Sequence, residues 1–201
     1  MKNIIGVVNY GVAGNIYSVK KAIEKAGGET LVINSIADFK LVDKIVIPGV
    51  GSFKESMKEL EDDGYIDSIK EFNKPILGIC LGMQILSNIG FEFGKTAGLG
   101  LIDAEVKPIL CDAKIPHMGF QKIQVVNSNQ LLKELENEEF YFMHSYEMVN
   151  YTDIAALTSY GNHSFVCSIK KDNIYGVQFH PEKSRKAGIK LLKNFIKLKS
   201  K

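Results

Sequence analysis

Short apolar runs alternate with helix-period segments through the first half of the chain, and no other feature restricts the fold as tightly. Residues 4–9, 30–33, 44–47 and 75–79 are rich in Ile and Val and read as strands. Between them, residues 16–26 repeat apolar positions at helical spacing and end on Gly27-Gly28. Ser52 is placed as the N-cap of a helix running to Leu60, and residues 66–72 and 81–89 also read as helices. Gly11 to Asn15 reads as a turn. Strands that alternate with helices cannot be joined by tight hairpins. They pack as a parallel sheet with helices on both faces.

The second half changes character. Residues 101–109, 119–126, 139–149, 155–159 and 164–170 all read extended, with Tyr160-Gly161-Asn162 as a turn. Residues 174–179 form the last predicted strand. A Lys-rich helix follows, with Ile189, Leu192, Phe195 and Ile196 facing inward. No repeat or linker interrupts the 201 residues. The expectation is one α/β domain over 1–201, a mostly parallel sheet flanked by helices with an antiparallel strand extension. A chain with 45% hydrophobic and 24% charged residues is of ordinary globular composition, which excludes collagen, coiled-coil and disordered classes.

Charge and cysteine usage narrow the partners. Residues 183–201 carry seven Lys and Arg185 with no acid. A basic segment of this kind suits either an anionic partner or the solvated face of a terminal helix. The apolar stripe favours the helix face, so no nucleic-acid partner is expected. Cys80, Cys111 and Cys167 are odd in number and lack C-x-x-C spacing, as expected of reduced cytoplasmic thiols. The apolar runs stop short of the ~18–20 residues of a membrane span, and the N-terminus has no signal-peptide pattern. No His/Cys cluster has metal-ligand spacing, so neither metal nor cofactor is expected.

Chemistry concentrates at one junction. Gly78-Ile79-Cys80-Leu81-Gly82 is G-x-C-x-G between a predicted strand and a predicted helix. This is the nucleophile-elbow arrangement with Cys in place of Ser. A tight strand-to-helix turn strains the nucleophile, and flanking glycines remove side chains that would collide. The position favours a thiolate, and the N–H after the nucleophile suits an oxyanion donor. The competing reading is a buried structural Cys.

A thiolate nucleophile needs a base, and His117, His144, His163 and His180 are the candidates. His163 adjoins a turn and reads as exposed. His117 lies in a loop-like stretch, and His144 ends an apolar extended run. His180 follows the last strand, as Cys80 follows the fourth, so both reach the C-terminal sheet edge where α/β sites gather. Glu182, two residues on past Pro181, is placed to orient the imidazole. Together with the elbow, Cys80–His180–Glu182 is the favoured set.

These motifs resemble the class I (triad) glutamine amidotransferases, and the resemblance spans the whole chain. Tyr10-Gly11 with Gly14-Asn15, the stretch Pro48-Gly49-Val50-Gly51-Ser52-Phe53, Ile115-Pro116-His117-Met118-Gly119, Tyr141-Phe142-Met143-His144-Ser145-Tyr146 and His180-Pro181-Glu182-Lys183-Ser184 look like those of the glutaminase subunits of imidazole glycerol phosphate synthase. The resemblance implies a flavodoxin-like sheet and hydrolysis of L-glutamine through a thioester on Cys80. It implies an oxyanion hole at Val50, Gly51 and Leu81, and substrate contacts from Gly49, Gln84, Glu92, Ser145 and Tyr146. It further implies a separate (β/α)8-barrel synthase (cyclase) subunit, joined as a heterodimer, that consumes the ammonia in histidine biosynthesis. On the same analogy His117, Phe120, Tyr141 and Lys183 form the docking face.

The chain departs from the family pattern at Asn9, at Phe120-Gln121 where Trp-Asn is frequent, and at Glu147. None of these touches the triad. They motivate one alternative, a paralogous glutaminase feeding a surface-sugar amidotransferase; a second alternative, a non-catalytic module on the same scaffold, has the intact triad against it. With one Arg among 25 basic residues, a substrate carboxylate must be held largely by backbone N–H groups unless Arg185 supplies a fork.

Overall fold

The computed structural model describes residues 3–11 and 15–199. The chain runs β1 (Ile4–Val8), α1 (Ile16–Lys25), β2 (Glu29–Ile33), a 3-10 turn (Ile36–Leu41), β3 (Lys44–Ile47), α2 (Phe53–Asp62), α3 (Tyr65–Lys70), β4 (Ile76–Ile79) and α4 (Leu81–Gln84). It continues through β5 (Ser87–Gly90), β6 (Thr96–Ala97), β7 (Ile102–Pro108), β8 (His117–Lys122), β9 (Gln124–Val125), β10 (Glu139–His144) and β11 (Tyr146–Val149). The last elements are β12 (Ile154–Tyr160), β13 (His163–Lys171), β14 (Ile174–Val177), a 3-10 turn (Pro181–Lys183) and α5 (Arg185–Ile196).

The main sheet has the order β2-β1-β3-β4-β14-β13-β12-β9. Its first five strands are parallel, in the flavodoxin-like order, and the rest are antiparallel. All residues of β3, β4 and β14 are buried, as near-continuous apolar strands covered on both faces must be. Neighbouring residues feed opposite layers. Val46, Leu77 and Ile79 pack with Val19 and Ile23 of α1 and Leu191 and Phe195 of α5. Ile45, Ile47 and Ile76 pack with Met57 and Leu60 of α2 and Ile69 of α3.

Ser52 caps α2 as expected, its side chain accepting from the Glu55 N–H. In α5, Leu192 and Phe195 are buried, and Ile189 and Ile196 pack against the same layer half-buried. The lysines occupy its other face. Among the described residues no helix is long and apolar enough to cross a membrane. The described residues also contain no group of three or more His, Cys, Asp or Glu suited to a metal ion.

Two expected elements differ. The helix over 81–89 stops after one turn at Gln84, and the chain re-enters as β5. The carbonyls of Ile85, Leu86 and Ser87, which a continuing helix needs, instead accept N–H groups from residues 99–102. The extended run over 139–149 is two strands in two sheets. β10 pairs with β8, whereas β11 pairs with β7. Ser145 sits at the break, and its carbonyl accepts the Ile109 N–H. Aromatic and apolar residues lie on both sides of the break, so the sequence reads as one extended run.

Candidate active site

Cys80 stands between β4 and α4 with φ 54° and ψ −111°, a conformation that L residues adopt only under constraint. The constraint is steric. A Cβ on Gly82 would lie 1.9 Å from the Ile47 carbonyl oxygen, and one on Gly78 would lie 2.5 Å from the Gly82 oxygen. Only hydrogen at both positions lets the turn close against β3. Cys80 N–H donates to the Val177 carbonyl at 2.8 Å, tying the elbow to the end of β14. Because α4 is one turn long, its dipole acts weakly on the sulfur.

A cavity of about 230 Å³ opens over Cys80. It lies below the ~300 Å³ lower end of drug-sized pockets and suits a small polar metabolite. Val50, Gly51, Leu81, Gln84, Glu92, Ser145, Tyr146 and His180 line it together with Cys80. Residues named from four separate motifs therefore share one concave surface. Leu81 N–H, at the first helical position, has no intrahelical acceptor. Gly51 has φ +106° with open space where a Cβ would be, so its peptide is free of side-chain obstruction. Gly49 does not line the cavity. A Cβ there would fall 2.6 Å from Gly82 N, so Gly49 serves close packing behind the elbow.

His180 and Glu182 form a buried pair, with Nδ1 to Oε1 at 2.8 Å and both side chains almost without solvent exposure. Asn15 Nδ2 donates to the same oxygen at 2.6 Å. Asn15 is the N-cap of α1, yet its side chain makes no capping bond: its backbone lies in the αR region and not the extended region a capping side chain uses, and its Nδ2 points to Glu182. Burial opposes the imidazolium of His180. The Cys80 sulfur and the Glu182 carboxylate outweigh burial and hold His180 above its ordinary value. Burial likewise opposes the Glu182 carboxylate, and His180 followed by Asn15 reverses it, holding Glu182 below its ordinary range. Among the described residues His180 Nε2 is buried without a hydrogen bond of ordinary geometry, although Cys80 is close enough to favour its proton.

The backbone of His180 is clamped on both sides. Its N–H donates to the Tyr141 carbonyl at 2.8 Å, and its carbonyl accepts Ser184 Oγ–H at 2.6 Å. Ser184 Oγ in turn accepts the Tyr141 N–H. Glu92 also has a structural bond, accepting the Phe53 N–H at 2.7 Å.

The expected docking residues divide. Phe120 and Tyr141 meet edge to face at 5.4 Å on the β8–β10 ribbon, and Lys183 lies 5.7 Å from the Tyr141 ring centre. His117 does not belong with them. It is fully buried, stacked on Tyr160 at 4.0 Å and Phe142 at 5.0 Å, because strand alternation turns it inward and the exposed Met118 outward. Its Nδ1 is 3.0 Å from His144 Nε2, while His144 Nδ1 bonds the Tyr146 carbonyl at 2.8 Å. Burial pushes His117 down to about 4 and His144 down to about 3, so both are neutral near pH 7. His163 bonds Glu147 away from the cavity. Arg185 lies outside the cavity too, with its guanidinium 4.2 Å from the Phe120 ring centre, and supplies no carboxylate fork.

Sequence reasoning missed Asn15 as the partner of Glu182, the lining residues Pro116 and Met143, and Gln178, a fully buried amide in the apolar run before His180. The signal for Gln178 was a polar residue in an otherwise apolar strand. Gly14, named in one motif, lies outside the described residues.

The model of the class-I glutamine amidotransferase family matches residues 7–198. The chain is 43% identical over 202 residues to "Imidazole glycerol phosphate synthase subunit HisH 1" of Campylobacter jejuni, covering 97% of this chain and all of that one. It is also 43% identical over 203 residues to "Imidazole glycerol phosphate synthase subunit HisH 2" of Methanococcus maripaludis, covering 96% and 99%. Among solved structures, a putative GMP synthase protein from Thermoplasma acidophilum superposes with a TM-score of 0.74 at 25% identity, covering 98% and 93%. PurLQS from Thermotoga maritima shares the fold, with a TM-score of 0.73 at 17% identity over 96% and 97% of the two chains.

Proposed function

The chain belongs to the class-I glutamine amidotransferase family, and from that premise we propose that it is the glutaminase subunit of an imidazole glycerol phosphate synthase, with Cys80, His180 and Glu182 as its catalytic triad. The observation that carries the reading is the strained Cys80 sharing a small cavity with His180, itself paired to a buried Glu182. The Cys80 thiolate attacks the side-chain carbonyl carbon of L-glutamine, forming a C–S bond and an oxyanion. The Leu81 N–H and a backbone N–H of the Val50–Gly51 segment receive that oxyanion. The imidazolium of His180 gives its proton to the amide nitrogen, the C–N bond breaks and ammonia leaves. Water then gives a proton to His180 and attacks the thioester, the C–S bond breaks, and glutamate is released. Glu182 holds the ring in one tautomer throughout.

Gln84, Glu92, Ser145 and Tyr146 hold the amino acid, with Glu92 set against its ammonium. The partner is a (β/α)8-barrel synthase subunit that accepts ammonia at the cavity mouth. Phe120, Tyr141 and Lys183 support a docking face there, since the Tyr141 carbonyl holds the His180 N–H directly. The test is glutamate release by the chain mixed with that subunit. Activity is expected, and Cys80→Ala should abolish it while leaving the complex intact. Equal release by the Cys80→Ala variant would refute the mechanism. Failure of the pair to restore growth of a histidine auxotroph would refute the pathway assignment.

A further inference from the structure

The mechanism leaves one buried polar side chain in contact with the nucleophile unused. Gln178 is fully buried, and its Nε2 lies 3.6 Å from Cys80 Sγ. The placement follows from register. Val177 of β14 pairs with Ile79 of β4 in parallel, so one step further along each strand Gln178 stands beside Cys80. A buried amide is costly unless its polar atoms are matched, and an aliphatic side chain of similar volume would fill this position without that demand.

The direction of this amide is set by a chain of bonds. The Tyr146 carbonyl can only accept, and it takes an N–H from Gln84 Nε2 at 2.9 Å. That fixes Gln84 as a donor, and its second N–H reaches Gln178 Oε1 at 3.0 Å. Gln178 must then present its NH₂ end, and not its oxygen, to the sulfur. The flipped amide would set two donors face to face at Gln84 and a carbonyl against the thiolate. The neutral His144, donating Nδ1–H to the same Tyr146 carbonyl, braces the start of the chain. Among the described residues, and apart from His180, the sulfur's other contact of this kind is the Met143 carbonyl at 3.8 Å, which suits a thiol donor and repels a thiolate.

We infer that Gln178 is a positioning residue for the nucleophile: its amide N–H, locked in direction by Gln84 and the Tyr146 carbonyl, stabilises the Cys80 thiolate and aims it into the cavity. This rests on Cys80 being the nucleophile. The hydrogen bond is the kind whose value rises when the acceptor becomes charged, so it favours the thiolate over the thiol. One-turn α4 leaves room for such help, because little of it comes from a helix dipole.

The test is site-resolved alkylation of the full chain by iodoacetamide between pH 5 and 10, with Cys80 and Cys111 followed separately by peptide mass spectrometry. Gln178→Met keeps the volume and removes the donor. The Cys80 alkylation profile is expected to move to higher pH, with the rate at pH 7 falling about tenfold, the equivalent of one unit along the pH axis. Gln178→Glu has the same shape and places negative charge beside the sulfur, so the fall is expected to be larger. Urea unfolding identifies a variant that fails to fold, in which case the other decides. A folded Gln178→Met or Gln178→Glu protein with an unshifted Cys80 profile would overturn the proposal. If Cys80 of the unsubstituted protein reacts no faster than Cys111, the nucleophile assignment itself falls, and this proposal with it.

Discussion

Replacing Glu182 with Gln exchanges one oxygen for an NH₂ and tests most of the site's electrostatics. Glu182 Oε1 accepts from both His180 Nδ1 and Asn15 Nδ2, and its other oxygen is buried with no hydrogen-bond partner among the described residues. A Gln that keeps its oxygen toward the two donors must place its NH₂ in that unpartnered position, leaving a buried donor unsatisfied. The reverse orientation sets donor against donor twice. An unsatisfied buried group costs about 1–3 kcal/mol, and loss of the counter-charge to a buried imidazolium adds to it. Removing one member of a buried pair costs about 3–5 kcal/mol, and the retained neutral acceptor moderates this to about 2–4 kcal/mol.

The penalty depends on pH in a definite direction. His180 is held above its ordinary value of 6.5, so its share of stability is complete below 6.5 and fades as pH rises through the higher folded value. Glu182 is held below its ordinary value of 4.5, so its share is complete above 4.5 and fades as pH falls through the lower folded value. The difference between wild type and Glu182→Gln is therefore greatest between 4.5 and 6.5 and shrinks towards alkaline pH. Urea unfolding of both proteins at about pH 5.5 and 8.5 measures it. In the assembled enzyme, glutamate release should fall about 100-fold, the equivalent of about 2.7 kcal/mol of lost transition-state stabilisation. A penalty that is the same at both pH values, or larger at the alkaline one, would refute the ion-pair reasoning. So would activity within a few-fold of wild type.

Two further outcomes follow from the elbow and the ribbon. Gly82→Ala should unfold the chain or lower its urea midpoint sharply, since its Cβ would lie 1.9 Å from a backbone oxygen that no rotamer change can move aside; a midpoint near wild type would show that β3 and the elbow are not locked together. Phe120→Ala should weaken binding to the synthase subunit about tenfold or more, in line with loss of an aromatic anchor, with Lys183→Ala adding to it. Calorimetry of the isolated pair reads this directly, and unchanged affinity would remove the β8–β10 ribbon from the docking face.

What was legible in the sequence was whatever depends on local order. The strand–helix alternation and the apolar character of residues 44–47 and 75–79 carried the parallel half of the sheet, because a strand buried on both faces admits little else. The two elbow glycines and Pro181 marked chain direction at Cys80 and His180, and direction is a local property. The pieces that escaped are set by which distant segment supplies a partner. Residues 85–89 have helical spacing, yet residues 98–102 take the carbonyls of residues 85–88, and nothing between 81 and 89 records that competition. Residues 139–149 read as one extended run while the chain changes sheets at Ser145. His117 reads as a loop histidine fit for an interface until β8 turns it inward onto Tyr160 and Phe142.

The residues that break local rules are the ones the site uses. Cys80 accepts a positive φ, Asn15 stands at an N-cap position without a capping bond and turns its Nδ2 to Glu182, and Gln178 carries an amide into an apolar strand. Each departure is unfavourable where it occurs and is offset only by the group it faces across the sheet edge. Taken singly, each has a bland explanation: a strained turn, an ordinary Asn before a helix, a polar residue at a strand end. They become one site when β4 and β14 are placed side by side, because adjacent parallel strands bring Cys80, Gln178 and His180 to the same edge at the same height. A motif scan finds the nucleophile and the base separately. The strand pairing identifies the amide between them, which neither motif contains.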